Sequence, residues 1–200
     1  MRFEFGENWK AYVAAIGQEE VRQAQESLIR LFGSTDALKG KSFLDIGCGS
    51  GPFCLAALRC GAACALGIDV DPKSVEASLM LKSRFAPDAV AWEIRIGSVL
   101  DEQFMSALPQ FDIVYSWGAL HHTGRMWDAL RAAADRTKPG GLLAVAIYNR
   151  VWSSGLWLRI KILYNRLPAP LQMAMAGGLF APRAFVRLLR LKHPFREKRG

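Results

Sequence analysis

The chain has 200 residues, of which 51% are hydrophobic and 22% charged, and a formal net charge of +8. That length fits one domain, or one domain with an appendage, and the composition excludes a disordered tail protein. The opening MRFEFGENWK mixes both charge signs with no apolar run behind it, so it does not read as a signal peptide. No stretch approaches the roughly 18 uncharged apolar residues of a membrane span, and a cytoplasmic protein is expected.

In chain order, Glu4–Phe32 reads as helical, because Trp9, Val13, Ile16, Val21, Leu28 and Leu31 recur at helical spacings. Gly33 and Gly40 bracket its exit. From Ser42 short apolar runs alternate with amphipathic segments. Ser42–Ile46 predicts a strand, Pro52–Cys60 a helix, Ala63–Ile68 a strand, and Pro72–Phe85 a helix with Pro in its first turn. Val90–Ile96 predicts a third strand, 102–108 a short helix, Phe111–Ser116 a fourth strand and Met126–Thr137 a helix. Lys138-Pro139-Gly140-Gly141 is read as its stop signal, followed by a fifth strand, Leu142–Tyr148.

Strand and helix alternating at this spacing imply right-handed crossovers and a parallel sheet covered on both faces. The expected fold is therefore α/β, a doubly wound, Rossmann-like sheet of order 3-2-1-4-5. It carries an N-terminal helical cap (1–40), a core (41–150) and a basic helical segment (151–200). In that last segment Trp152–Leu167 and Ala181–Lys192 read as basic helices, joined by a Pro168–Pro170 turn and a flexible Ala176-Gly177-Gly178 stretch.

Charge marks the final boundary. Residues 151–200 hold ten Lys/Arg against one acid, Glu197, whereas residues 1–150 hold 16 against 17. A basic amphipathic helix suits an anionic membrane surface, attracts nucleic acid without specificity, or presents only a charged outer face over the fold. No specific nucleic-acid partner is expected, and peripheral contact with the inner face of a membrane stays open. Cys48, Cys54, Cys60 and Cys64 lack the spacing of a C-x-x-C pair. They read as reduced and free, with three in or beside the helix after the first strand, and no metal site is expected.

The loop after strand one is Gly47-Cys48-Gly49-Ser50-Gly51. Alternating glycines let the backbone approach a ligand closely. Alone, G-x-G-x-G also fits a dinucleotide or a tight turn. Asp45, just before it, would repel a pyrophosphate but suits an ammonium group. Asp69 ends strand two, placed for the paired hydroxyls of a ribose. Ser98, Val99 and Asp101 follow strand three, where an adenine would lie. Amino-acid end, ribose and base then meet three strand ends in order, the layout of S-adenosylmethionine.

LDIGCGSG, GIDVDPKSV, GSVLD, FDIVYSWGALHHTG and KPGGLLAVAIYN together resemble the signature segments of class I S-adenosylmethionine-dependent methyltransferases. Within them the chain is most similar to the bacterial quinone-biosynthesis O-methyltransferase-like group, a likeness that extends to FEFGENW and WLRIKILYNRLP. The resemblance implies methyl transfer to a small-molecule acceptor, with oxygen favoured. It implies that Gly47, Cys48 and Gly49 line the methionine and ribose end, that Asp69 grips the ribose and that Val70 packs on adenine. Ser98 and Val99 would meet the adenine edge, and Ser116 and Trp117 would lie beneath the methionine moiety. Ser98 departs from the family pattern, in which Asp or Asn is common, so adenine recognition would fall to backbone or to Asp101. His121 and His122 follow strand four, where an imidazole would take an acceptor proton or cap a helix. His122 matches the histidine of the quinone O-methyltransferase-like pattern. Tyr148 and Asn149 would line the acceptor pocket or merely end the strand in an Asn turn, and Trp9 and Tyr12 would belong to a lid over the cofactor or pack on the domain as an aromatic stripe. Asp112, at the other end of strand four, reads as structural.

The family's usual two further strands are not found in the sequence. A nicotinamide-dependent oxidoreductase would share the loop and Asp69, but Asp45 and the missing later glycine of G-x-G-x-x-G count against it. A non-catalytic binding module on this fold, associated with membrane or a partner, is the other alternative.

Overall fold

The computed structural model describes residues 16–149, 154–168 and 170–178. The expected residues Trp9 and Tyr12 of the lid, most of the early part of the first helix, and the helix over Ala181–Lys192 lie outside them.

Five parallel strands form one sheet in the order β3-β2-β1-β4-β5. They are β1 (Ser42–Ile46), β2 (Cys64–Asp69), β3 (Trp92–Ile96), β4 (Phe111–Trp117) and β5 (Thr137–Ala146). The helices are α1 (Gln18–Phe32), α2 (Pro52–Arg59), α3 (Pro72–Phe85), α4 (Glu102–Ser106) and α5 (Met126–Asp135), and, after the boundary, α6 (Ser154–Arg166). The chain divides into two units, 1–148 and 149–200.

β1 is central, and its alternation builds two cores. Phe43 packs with Val21, Leu28, Leu55, Trp92 and Tyr115 on one face, whereas Leu44 and Ile46 pack with Ile68, Val114, Leu120 and Ala133 on the other. α1 buries Val21, Ala24 and Leu28, spaced three and four apart, against the first of these cores. At its start the Gly17 N–H donates to the Glu20 carboxylate at 2.7 Å, and it ends at Gly33 in the left-handed region. α3 starts as expected, with Pro72 in its first turn and Asp71 accepting from the Lys73 N–H.

Four expectations are corrected. Strand three begins at Trp92, because 89–92 make a turn with Trp92 N–H donating to Ala89, and Val90 is 96% exposed. Strand five begins at Thr137, not Leu142. Thr137 pairs with Phe111 and Leu142 with Ile113, so Lys138–Gly141 form an irregularity inside the strand rather than a stop before it. Gly141 sits there because a Cβ would lie 2.8 Å from the Asp112 carbonyl oxygen. β5 also ends at Ala146, since its partner β4 stops at Trp117 and turns at Gly118 (φ 76°). In the second unit, 170–178 are helical, including the Ala176-Gly177-Gly178 stretch expected to be flexible.

Candidate functional site

All five strands run the same way, so their carboxyl ends share one edge, and a cleft of about 500 Å³ opens there. Its wall is assembled from loops. After β1 the Gly47 and Cys48 N–H groups donate to the Ile68 carbonyl at 2.8 and 3.0 Å, folding the loop across the end of β2. This requires glycine: Gly47 has φ 76°, and a Cβ there would fall 2.3 Å from that of Ala119.

Asp69, at the end of β2, stands at the centre. Its Oδ2 accepts from the Gly49 N–H at 2.9 Å and its Oδ1 from the Asp71 N–H at 2.9 Å. Burial raises its pKa while these backbone donors lower it, and burial wins. One carboxylate, oriented by two amides, thus keeps lone pairs for a ligand's hydroxyl groups.

Of the residues singled out from the sequence, Gly47, Gly49, Asp69, Val70, Ser98, Val99, Trp117, His122 and Tyr148 line this one cleft. Asp45, Cys48, Ser116 and His121 are absent from its wall, and Asn149 belongs to the second unit. Asp45 points with Phe43 into the core under the glycine loop, 2% exposed, with the Cys54 thiol at 3.9 Å. Burial, and then the charge of Asp69, push its carboxyl up to about 8. The Cys48 and Cys54 thiols are likewise pushed up by burial, and all four cysteines are free. Ser116, fully buried, donates from Oγ to the Ile46 carbonyl at 2.8 Å and so ties β4 to β1 beside the cleft. Asp101 accepts from the Phe104 N–H as the cap of α4, and it too is absent from the wall. Asp112 lies at the opposite end, accepting from Ser42 N–H and Oγ and pairing with Lys138 at 3.0 Å, contacts that hold it well below the usual carboxylate range.

The side of the cleft after β4 is aromatic. Trp117 stacks on Tyr115 at 6.0 Å and is 49% exposed. A 3-10 turn, Leu120–His122, follows β4. His121 packs between His122 at 4.1 Å and Tyr148 at 4.8 Å, both ring nitrogens buried without a hydrogen-bond partner among the described residues. Burial, and then His122, lower its pKa, so it is neutral at pH 7. His122 faces the cleft instead.

Sequence reasoning missed Phe53, Asp71, Gly97, Gly118 and Ala119, which also line the cleft. The backbone turn at Gly118, just past β4, was the available signal. Among the described residues the wall includes Asp69 and Asp71 but no Lys or Arg. Asp69 at the end of β2 suits a ribose, and a cofactor that carries a cation meets an acidic wall there.

A family model described as a methyltransferase domain matches residues 17–190. A tRNA U34 carboxymethyltransferase of Azotobacter vinelandii is 35% identical over 106 residues, 53% of this chain and 32% of that protein. A ubiquinone biosynthesis O-methyltransferase of Rhodopseudomonas palustris is 34% identical over 121 residues, 60% of this chain and 45% of its own. The matched region thus spans between a third and a half of the length of these relatives. Among solved structures, magnesium protoporphyrin IX methyltransferase from Synechocystis PCC 6803, with bound SAH, superposes with a TM-score of 0.60 at 18% identity. That match covers 80% of this chain and 74% of the other, and it agrees with the fold.

Proposed function

The chain belongs to the methyltransferase-domain family, and from that premise we propose that it transfers a methyl group from S-adenosylmethionine to a small-molecule acceptor, at oxygen. One observation carries this reading: Asp69, oriented by two backbone amides, and His122 face the same cation-free cleft at the carboxyl edge of the sheet.

The cofactor, when bound, supplies an electrophilic methyl group on a sulfonium, and the protein's part is to bind, orient and exclude water. Asp69 accepts hydrogen bonds from the ribose hydroxyls. Gly47 and Gly49 let the methionine end lie against the backbone, and Val70, Ser98 and Val99 hold the adenine. Trp117 lies beneath the methionine end, and Tyr148 and Phe53 give the acceptor an apolar bed. His122 Nδ1 or Nε2 takes the hydroxyl proton as the acceptor oxygen becomes nucleophilic, and Tyr148 orients the acceptor across from it. His121, packed behind them and neutral, fixes the pair by contact rather than by charge. The apolar character of this side favours a small aromatic or lipid-like hydroxyl compound over a polynucleotide.

The test is a split between two variants, assayed with methyl-labelled cofactor and a panel of phenols. Asp69→Ala should lose cofactor affinity. His122→Ala should keep that affinity within about twofold and slow transfer by about a hundredfold or more. Wild-type transfer by His122→Ala would remove that histidine from the reaction.

A further inference from the structure

The second unit carries an unusual helix. α6 runs Ser154-Gly-Leu-Trp-Leu-Arg-Ile-Lys-Ile-Leu-Tyr-Asn-Arg166 and has no buried residue. Leu156, Trp157, Leu158 and Leu163 are each more than half exposed, at 59, 52, 59 and 54%. A helix advances roughly 100° per residue, which gathers Leu156, Trp157, Ile160, Leu163 and Tyr164 on one arc of about 120°. Arg159 and Arg166 border that arc on one side and Lys161 on the other. Leu158 and Ile162, four residues apart, form a narrower apolar stripe on the far side. The next helical stretch, 170–178, adds Leu171 at 51% and Met173 at 74% exposure.

Charge indicates what meets this surface. Residues 154–178 contain Arg159, Lys161 and Arg166 and not one Asp or Glu, and 151–200 as a whole hold ten cations against one acid. A neutral protein groove would not call for that bias. Cations that border an apolar arc, rather than crowding onto a face of their own, match a helix lying in the plane of an anionic bilayer. There the arc enters the acyl boundary and the long basic side chains reach back to the phosphates. Nucleic acid offers phosphates too, and Trp157 and Tyr164 could each stack a base, but a phosphodiester contact gains nothing from burying Leu156, Ile160 and Leu163 in the same arc, whereas a bilayer takes all five. Among the described residues no helix is long and apolar enough to cross a membrane, so the contact is one of lying on it.

We propose that α6 docks the protein onto an anionic lipid bilayer surface, its Leu156–Leu163 arc buried at the acyl boundary and Arg159, Lys161 and Arg166 on lipid phosphates. This rests on the second unit alone and stands or falls independently of methyl transfer.

The experiment co-sediments the full chain with vesicles of phosphatidylcholine alone and of phosphatidylcholine with about one third phosphatidylglycerol. The wild type is expected in the pellet with the anionic vesicles and in the supernatant with the neutral ones. Leu156→Asp/Leu163→Asp should lower the bound fraction about tenfold or more, and Arg159→Gln/Lys161→Gln/Arg166→Gln should remove the preference for anionic lipid. These replacements should leave circular dichroism and cofactor calorimetry unchanged, which separates loss of docking from loss of fold. A second readout needs no destabilising change: brominated lipid should quench the wild type more than Trp157→Phe. Equal sedimentation of the Asp/Asp variant and wild type would overturn the proposal, as would equal binding to neutral and anionic vesicles. So would a polyuridylate complex that displaces the vesicles and is indifferent to Leu156→Asp/Leu163→Asp, or a dimer of the free chain that those substitutions dissolve without touching vesicle binding.

Discussion

Asp45 and Asp69 are both carboxylates next to glycine-loop residues, yet their environments give them different work. Asp69 ends its strand and meets the cleft, as its place in GIDVD suggests. Asp45 lies one residue before the end of β1, and strand alternation sends it inward with Phe43 rather than outward. The sequence could locate the residue but not its facing, because that depends on which side of the sheet α1 and α2 cover. The consequence is a pH dependence of opposite sign to the usual one. A carboxyl at about 8 in the folded chain and near 3.9 when unfolded is protonated in the fold and ionised in the unfolded chain between those values. The folded state therefore binds the extra proton, and stability falls as pH rises from about 4 to about 8. Urea midpoints should drop between pH 5 and pH 8 in the wild type and drop less in Asp45→Asn; parallel slopes would mean that Asp45 ionises freely in the fold. Asp69→Ala removes the carboxylate that two amides hold ready, and should weaken cofactor binding by about ten- to a hundredfold, read by calorimetry.

At the scale of elements, the alternation of strands and helices was legible because it rests on short apolar runs and on Pro72 and Gly33, whose local chemistry sets the ends of helices. The boundaries that went astray are those where tertiary pairing decides. Val90 looks like a strand residue by type but sits in a turn at 96% exposure. Lys138–Gly141 looks like a stop but is carried inside β5 because Thr137 finds Phe111 across the ladder. The cleft wall from Gly118 to His122 was only half legible for the same reason: the turn brings Ala119 against Gly47, a contact between residues 72 apart. That contact predicts that Gly47→Ala, strained at φ 76° and clashing at 2.3 Å, destabilises the fold by about 1–3 kcal/mol and shifts cofactor affinity with it. Leu28→Ala, in the seam that α1 buries, should cost about 2–5 kcal/mol in urea unfolding and leave cofactor affinity unchanged in the remaining folded protein. An effect of Leu28→Ala on affinity with no loss of stability would contradict the assignment of α1 to packing.

At the scale of the molecule, the cleft wall holds Asp69 and Asp71 and, among the described residues, no Lys or Arg, whereas the second unit is strongly basic. The first unit is close to neutral, with slightly more acids than bases, and the second carries the whole excess. β5 is the last strand among the described residues, and its outer edge has no strand partner there. What lies against that edge was not legible, since a parallel sheet announces its strands by buried runs and β5 is only half buried. The central claim is that the cleft takes S-adenosylmethionine, and calorimetry of the full chain with S-adenosylmethionine, S-adenosylhomocysteine and NAD tests it most directly. Saturable binding of the first two, weakened at least tenfold by Asp69→Ala, with no heat from NAD is the predicted result. Binding of NAD in preference, or no binding of any of the three by a folded chain, would contradict it.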